Sequence, residues 1–284
     1  MSAALTDQER KTMHPAFSPH NQPPRSQREV TQHGVPSGLN LSASASSDSE
    51  LLVHGAVRVS RLEDAAVILK PSVHFVVVSR AQWIEGRGNF IHQEIGAFLQ
   101  EASRTHEALQ YPNNEMHSLS DLPVWLRRFL TSDSRREALS LLSADFNEIG
   151  VWFRHLTEAT KPYSCLRVEF KDNSPGDHFD AQSLTCGCCY SGGGTLIHLH
   201  GGQTLQLRAG EIGLWKGAAR EDEYGQMSYN LLDASASIVN EGQAVLHGAP
   251  QGAAGYPRFA TFHDVRDERV APVLRKSLVP WVTY

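Results

Sequence analysis

Apolar residues recur at helical spacing through the first half of the folded chain and at strand spacing through the second. In NFIHQEIGAFLQEASRTHEAL, Ile91, Ile95, Phe98, Ala102 and Leu109 keep roughly helical spacing and fall on one helix face. DSRREALSLLSADFNEIGVWFRHLTEA repeats the pattern through Leu139, Leu142, Phe146, Ile149, Phe153 and Leu156. Between the two, Ser120 and Asp121 ahead of Pro123 predict the start of a short helix. Upstream, LLVHGAVRV and VHFVVVS are short β-branched runs on either side of RLEDAAVIL, a helical candidate.

The texture changes after Pro162. YSCLRVEF, SLTCGCCY, TLIHLH, TLQLR, IGLW, MSYNLL, QAVLHG and RFATFHDV are short strand-like runs divided by Gly, Asp, Asn and Ser. So many short strands in succession predict an antiparallel sandwich or barrel. The expected fold class is α+β: a double-stranded β-helix (jelly roll) with a helical N-terminal layer. Residues 1–50 contain PAFSPHNQPPRSQ and SASASSDSE, too few apolar groups to offset their ordering entropy, and are expected to form a disordered tail. Residues 51–284 are expected to form a single domain, with 51–160 mainly helical support and 161–284 the β-barrel core.

Composition narrows the functional classes. The chain of 284 residues is 40% hydrophobic and 20% charged, as in a globular protein. A net charge of −5 and the lack of a basic cluster argue against nucleic-acid binding and favour a small-molecule substrate. No apolar run reaches membrane-spanning length and MSAALTDQERK lacks a secretory core, so a cytoplasmic protein without membrane contact is expected. Cys165, Cys186, Cys188 and Cys189 lack the spacing of a disulfide framework, and reduced core thiols are expected.

The candidate chemistry begins at GDHFDAQ. On a strand, His178 and Asp180 project from one face while Phe179 points the other way, as two ligands of one metal must. Alone, the pair is equally what two nearby polar residues would look like. His247, in QAVLHGAP, comes after several intervening strands, and Arg258 stands eleven residues later in YPRFATF. His178, Asp180, His247 and Arg258 together resemble the His-x-Asp, then His-x10-Arg signature of Fe(II)/2-oxoglutarate dioxygenases. The resemblance implies a mononuclear non-haem Fe(II) enzyme, its iron held by His178, Asp180 and His247, with 2-oxoglutarate as cosubstrate and Arg258 on its far carboxylate. Substrate contacts are expected from Arg167, Tyr190, Trp215 and Lys216; whether Arg258 or Arg167 meets the cosubstrate is open.

A second resemblance, over about residues 163–265, is to a bacterial family known as domain of unknown function 1826. It rests on LRVEF, HFD, CCYSGGGT, GEIGLWKG and HGAP followed by RFATFHDV, with Cys188, Tyr190, Gly192, Gly194, Thr195, Lys216, Gly217 and His247 at the family's positions. Glu211 departs from the usual Asp at its turn. The resemblance implies a metal-site scaffold, with zinc as the alternative metal and a non-catalytic role in metal homeostasis as the alternative function. A further possibility is a cupin-type metalloenzyme using His198 and His200, which with Gly192 resemble the first cupin motif. The Glu that motif needs is replaced by Thr204 and Leu205. A mixed Cys/His zinc site at Cys186 and Cys188 also stays open.

Overall fold

In the strand β6 (Leu184–Ser191) every residue is buried, which requires cover on both faces of the sheet. The computed structural model describes residues 50–53, 55–104, 113–116, 118–159, 162–171, 176–199, 201–221, 227–228, 237–238, 240, 242–250 and 255–265. The tail expected over residues 1–50 lies outside these apart from Glu50, as does His200.

The large sheet has eight strands. In chain order they are β1 (Glu50–Val53), β2 (Ala56–Val59), β3 (Phe75–Val78), β4 (Asn113–Met116), β5 (Pro162–Glu169), β6, β9 (Ile212–Lys216) and β14 (Arg258–Val265), in spatial order β1-β2-β3-β9-β6-β14-β5-β4. All neighbours are antiparallel except β2 and β3, and the turn of 3-10 helix over Glu63–Leu69 provides the crossover that a parallel pair needs. A small sheet joins β13 (His247–Gly248), β7 (Leu196–His198) and β8 (Thr204–Gln206) in the order β13-β7-β8. Short strands β10 (Arg220–Glu221), β11 (Met227–Ser228) and β12 (Ser237–Ile238) form a third.

Pleat alternation sorts the large sheet's side chains into two cores. Leu166 and Val168 of β5, Cys186, Cys188 and Tyr190 of β6, Ile212 and Leu214 of β9, and Phe259 of β14 face the helices. There they meet Ile91, Ile95, Phe98 and Leu99 of helix α2 (Asn89–Ser103) and Leu142, Phe146, Ile149 and Phe153 of helix α4 (Asp133–Thr157). The opposite face brings Phe75, Val77, Trp215 and Phe262 against Ile197, Leu205 and Val245 of the small sheet and its flanks. The large sheet thus lies between helices and a second sheet, and β6 is covered on both sides.

The two long helices follow the apolar periodicity closely. Ser132 caps α4 by accepting a hydrogen bond from Arg135 N at 3.2 Å, and Glu158 ends it in the left-handed region at φ 53°. The helix expected near Ser120 is a turn of 3-10 helix over Leu119–Asp121 and helix α3 (Val124–Arg127). The segment expected to be mainly helical also supplies β1 to β4, which extend the sheet at both edges. No helix among the described residues is long and apolar enough to cross a membrane.

The helix side holds two buried polar clusters. Asp145 of α4 accepts from Arg80 Nη1 at 3.0 Å and from the Tyr190 hydroxyl at 2.5 Å, while the Arg80 guanidinium lies 3.8 Å from the Trp83 ring centroid. Trp83 belongs to the one-turn helix α1 (Ala81–Trp83) leading into α2, so this cluster fastens α1, α4 and β6 together. His263 of β14 is stacked on Phe146 with ring centroids 4.8 Å apart, its Nδ1 2.8 Å from Ser164 Oγ. Burial pushes the His263 imidazole down to about 4. A histidine whose folded value lies below its unfolded one adds stability that is full above the unfolded value near 6.5 and is lost as pH falls toward 4. The loss is on the order of 3 kcal/mol. We predict that His263→Phe, which keeps the stack without the titration, flattens the fall in urea-unfolding stability between pH 7 and pH 4; an unchanged pH profile would assign that fall to other groups.

Candidate metal centre

His178 and His247 are joined by a pair of backbone hydrogen bonds, His178 N to His247 O at 2.8 Å and His247 N to His178 O at 3.0 Å. Residues so paired on antiparallel segments present their side chains on the same face. Their rings come to 4.6 Å between centroids. Asp180, two residues after His178, projects with them. Its Oδ1 lies 3.5 Å from His247 Nε2 and 3.9 Å from His178 Nε2, and all three candidate ligand atoms lie within 4.8 Å of one another. This is the only group of three or more His, Cys, Asp or Glu ligand atoms so placed among the described residues.

Neighbouring groups leave the inward atoms as bases. His178 Nδ1 stands 2.9 Å from Gly176 O, and His247 Nδ1 3.2 Å from Val245 O. A carbonyl only accepts, so each Nδ1 carries a proton, and in the neutral ring that tautomer places the Nε2 lone pair on the side of Asp180. The Asp180 carboxylate is divided in the same way: Oδ2 accepts from Thr185 Oγ1 at 2.7 Å and from Trp215 Nε1 at 2.8 Å, leaving Oδ1 toward the imidazoles. Burial first of all holds the His247 imidazole below its ordinary value, which keeps it neutral and able to bind a metal. The donor set of two neutral imidazoles and a carboxylate fits a divalent first-row metal and leaves one side of it open. Side-chain exposure is 6% for His247, 18% for Asp180 and 41% for His178, so the cluster is most accessible to solvent at His178.

Two glycines let these groups meet. Trp215 and Thr185 are cross-strand partners, and the indole extends over Gly187, where a Cβ would stand 2.7 Å from Trp215 Cη2. At Gly217 a Cβ would stand 2.1 Å from Gln182 O and 2.7 Å from Asp180 O, so only glycine allows the Asp180 segment to lie against the end of β9.

The remaining expected residues separate into two groups. Arg167 and Arg258 share the inner face of the large sheet with Trp215 and Phe262, since their strand neighbours Leu166, Val168 and Phe259 face the helices. The Arg167 guanidinium lies 4.9 Å from the Phe262 ring centroid. Arg258 is buried at the head of β14, beyond the level of Ser191 and so at the opposite end of β6 from Thr185, and its Nε donates to Glu169. Tyr190 and Lys216 are not brought to the triad. Tyr190 faces the helices and bonds Asp145, while the Lys216 ammonium donates to Lys70 O at 3.0 Å and Gln243 Oε1 at 2.8 Å. Trp215 does reach the site, as the partner of a ligand.

The competing ligand sets do not assemble. His198 points at Asp177, with Nε2 2.9 Å from Oδ2, and joins no group of three ligands among the described residues. The four cysteines are free and buried; burial raises the Cys186 and Cys188 thiols well above their ordinary range, the opposite of what a thiolate ligand requires. Thr185 was not among the expected site residues, although its placement on the face shared by Gly187 and Cys189 follows from strand alternation.

No family model matches this chain, so the resemblance to domain of unknown function 1826 stands on its quoted motifs alone, and no curated protein matches it. Among solved structures it is similar to a full-length Neurospora crassa protein in complex with α-ketoglutarate and 5-formyluracil, at 12% identity over 75% of this chain and 83% of that one, TM-score 0.40. It is similar to a Pseudomonas putida prolyl-4-hydroxylase at 9% identity over 71% and 98% of the two chains, TM-score 0.36. It is also similar to an oxidoreductase of the 2-oxoglutarate–Fe(II) oxygenase family from Burkholderia pseudomallei, at 14% identity over 73% and 91%, TM-score 0.35. Likeness at this level leaves the chemistry of the site to be read from the chain's own atoms.

The carboxylate partners give a direct check. Trp215→Phe keeps an aromatic ring at this position but removes the donor to Asp180, and is expected to weaken Fe(II) or Zn(II) affinity about 10- to 100-fold, the usual cost of losing a partner behind a metal ligand. Competition titration against a chromogenic chelator measures this. Equal affinities for wild type and variant would show that the indole does not orient Asp180.

Proposed function

We propose that the protein is a mononuclear non-haem Fe(II)/2-oxoglutarate-dependent oxygenase that oxidises a C–H bond of a small molecule, built on a double-stranded β-helix. The observation that carries this is the convergence of His178 Nε2, His247 Nε2 and Asp180 Oδ1, each with its other polar atom already engaged. The strand order supports the fold reading: β5, β14, β6 and β9 lie side by side in one sheet, and the His178 segment, β13, β7 and β8 lie one beside the next in the facing layer.

His178, His247 and Asp180 would hold the metal on one side. When bound, Fe(II) with 2-oxoglutarate and dioxygen supplies oxidative decarboxylation to succinate and CO2, coupled to oxygen insertion into the substrate. The chain's own part is binding, orientation and charge. Two neutral imidazoles and one carboxylate leave a divalent ion with net charge about +1, which favours an anionic chelating cosubstrate. Thr185 and Trp215 keep Asp180 from rotating its second oxygen inward. Arg258 faces the interior with Nη1 buried and without a partner among the described residues, a donor suited to the cosubstrate's distal carboxylate. Arg167, on the same face, is the other cation for that role. A cavity of about 250 Å³ lies beside Phe179 and Val245, and none of the three ligands lines it.

Anaerobic addition of Fe(II) and then 2-oxoglutarate is expected to give a weak visible charge-transfer band in the wild type and none in His178→Ala or His247→Ala. A protein that purifies with firmly held zinc and shows no band would overturn the reading in favour of a non-catalytic zinc protein. With the band in hand, Arg258→Ala is expected to raise the 2-oxoglutarate KM at least tenfold with Fe(II) affinity unchanged. If Arg167→Ala has that effect and Arg258→Ala does not, the anchor is Arg167.

A further inference from the structure

The inner face of the large sheet carries a buried acid that the metal centre does not use. Glu169, the last residue of β5, is the register partner of Arg258, the first of β14, and accepts the Arg258 Nε–H. Both side chains are buried, at 11% and 5% exposure. Glu169 shares a pleat face with Arg167, opposite Leu166 and Val168 of the helix-side core. A guanidinium presents its five N–H donors in a planar fork. Glu169 takes the Nε edge of this fork, while Nη1 is buried and bare among the described residues. The acid thus fixes the plane of the guanidinium and leaves only the Nη end for a ligand. It also neutralises the cation before any ligand arrives.

We propose that Glu169 is a specificity-determining residue of the cosubstrate pocket: by sharing Arg258 with the incoming distal carboxylate it holds the fork in place and weakens the grip on a dicarboxylate. This rests on the oxygenase reading and on Arg258 as the anchor. Two carboxylates on opposite edges of one guanidinium repel each other, and in a partly buried site that repulsion weakens binding on the order of tenfold. The product succinate keeps the distal carboxylate, so the same repulsion favours its release. A 2-oxo acid of equal length without that carboxylate, 2-oxopentanoate, meets no repulsion. In this pocket the discrimination between the two acids is therefore small.

The test uses the full chain loaded with Fe(II) under anaerobic conditions, with Glu169→Gln beside the wild type. Glutamine retains an oxygen that accepts from Arg258 Nε, so the fork stays in place while the charge goes. Expected are a roughly tenfold fall in Kd for 2-oxoglutarate and for succinate, with 2-oxopentanoate and Fe(II) affinities unchanged. An unchanged or weakened 2-oxoglutarate Kd, or equal tightening of 2-oxopentanoate, overturns the proposal. Should the variant not fold, the wild type still decides: 2-oxoglutarate and 2-oxopentanoate should bind within about tenfold of each other, and a preference of a thousandfold for the dicarboxylate overturns it. If Arg258→Ala binds 2-oxoglutarate as well as the wild type does, this proposal falls and the oxygenase reading stands; a wild type that binds no 2-oxo acid at all removes both.

Discussion

Two backbone hydrogen bonds between His178 and His247 bring together the side chains of the candidate metal centre. They tie a segment that belongs to none of the described strands to the two-residue strand β13, and so set two imidazoles side by side before any ion is present. Each such bond adds only about 1 kcal/mol to stability, but a register error of one residue would send both rings to the other face. The rest of the site depends on that bridge. Asp180 can reach between the rings because it shares their face, and the Val245 and Gly176 carbonyls can set the tautomers because the bridge fixes the backbone that carries them. Trp215 then closes the arrangement, donating to Asp180 while its ring lies 4.9 Å from that of His247. The ligand geometry is therefore a property of the β-pairing, and a metal would find it largely organised.

The parts of this structure that were legible in the sequence are those written in periodicity. α2 and α4 lie where the spacing of Ile91 to Ala102 and of Leu139 to Leu156 places them, and β5, β6, β9 and β14 match, to within a residue at each end, the runs YSCLRVEF, SLTCGCCY, IGLW and RFATFHDV. The His178–Asp180 pair was legible because a spacing of two has one meaning on an extended chain, and His247 because a ligand from a distant strand was needed to complete it. What stayed hidden depended on which face of a strand meets which layer. Tyr190 and Trp215 are both aromatic residues in β-runs, yet β6 turns Tyr190 toward Asp145 and the helices while β9 turns Trp215 toward the triad. Lys216 comes immediately after Trp215 and so leaves the inner face; its ammonium, with its affinity for protons reduced by burial to about 8, ties Gln243 to Lys70. Glu169 was passed over because a lone acid in a strand carries no motif; its meaning comes only from the register partner, Arg258.

The cysteine-rich segment TCGCCY finds its physical account in the same alternation. β6 is central in the large sheet and is buried along its whole length, so neither of its faces can be polar and solvated. On the helix side Cys186, Cys188 and Tyr190 fill the core, and burial keeps the two thiols neutral, as small apolar groups with no metal to serve. On the inner side the strand offers Thr185, Gly187 and Cys189, all small, while beyond a register shift in its pairing with β14 the Ser191 hydroxyl turns to Gly96 of α2. A β-branched or aromatic residue at Gly187 would collide with Trp215 and Phe262 and push the indole off Asp180. Small residues on this face leave the space in front of β6 that the indole and the Phe262 ring occupy. A segment that first suggests thiol chemistry thus works by volume: it makes room for the indole whose N–H fixes the direction of the Asp180 carboxylate.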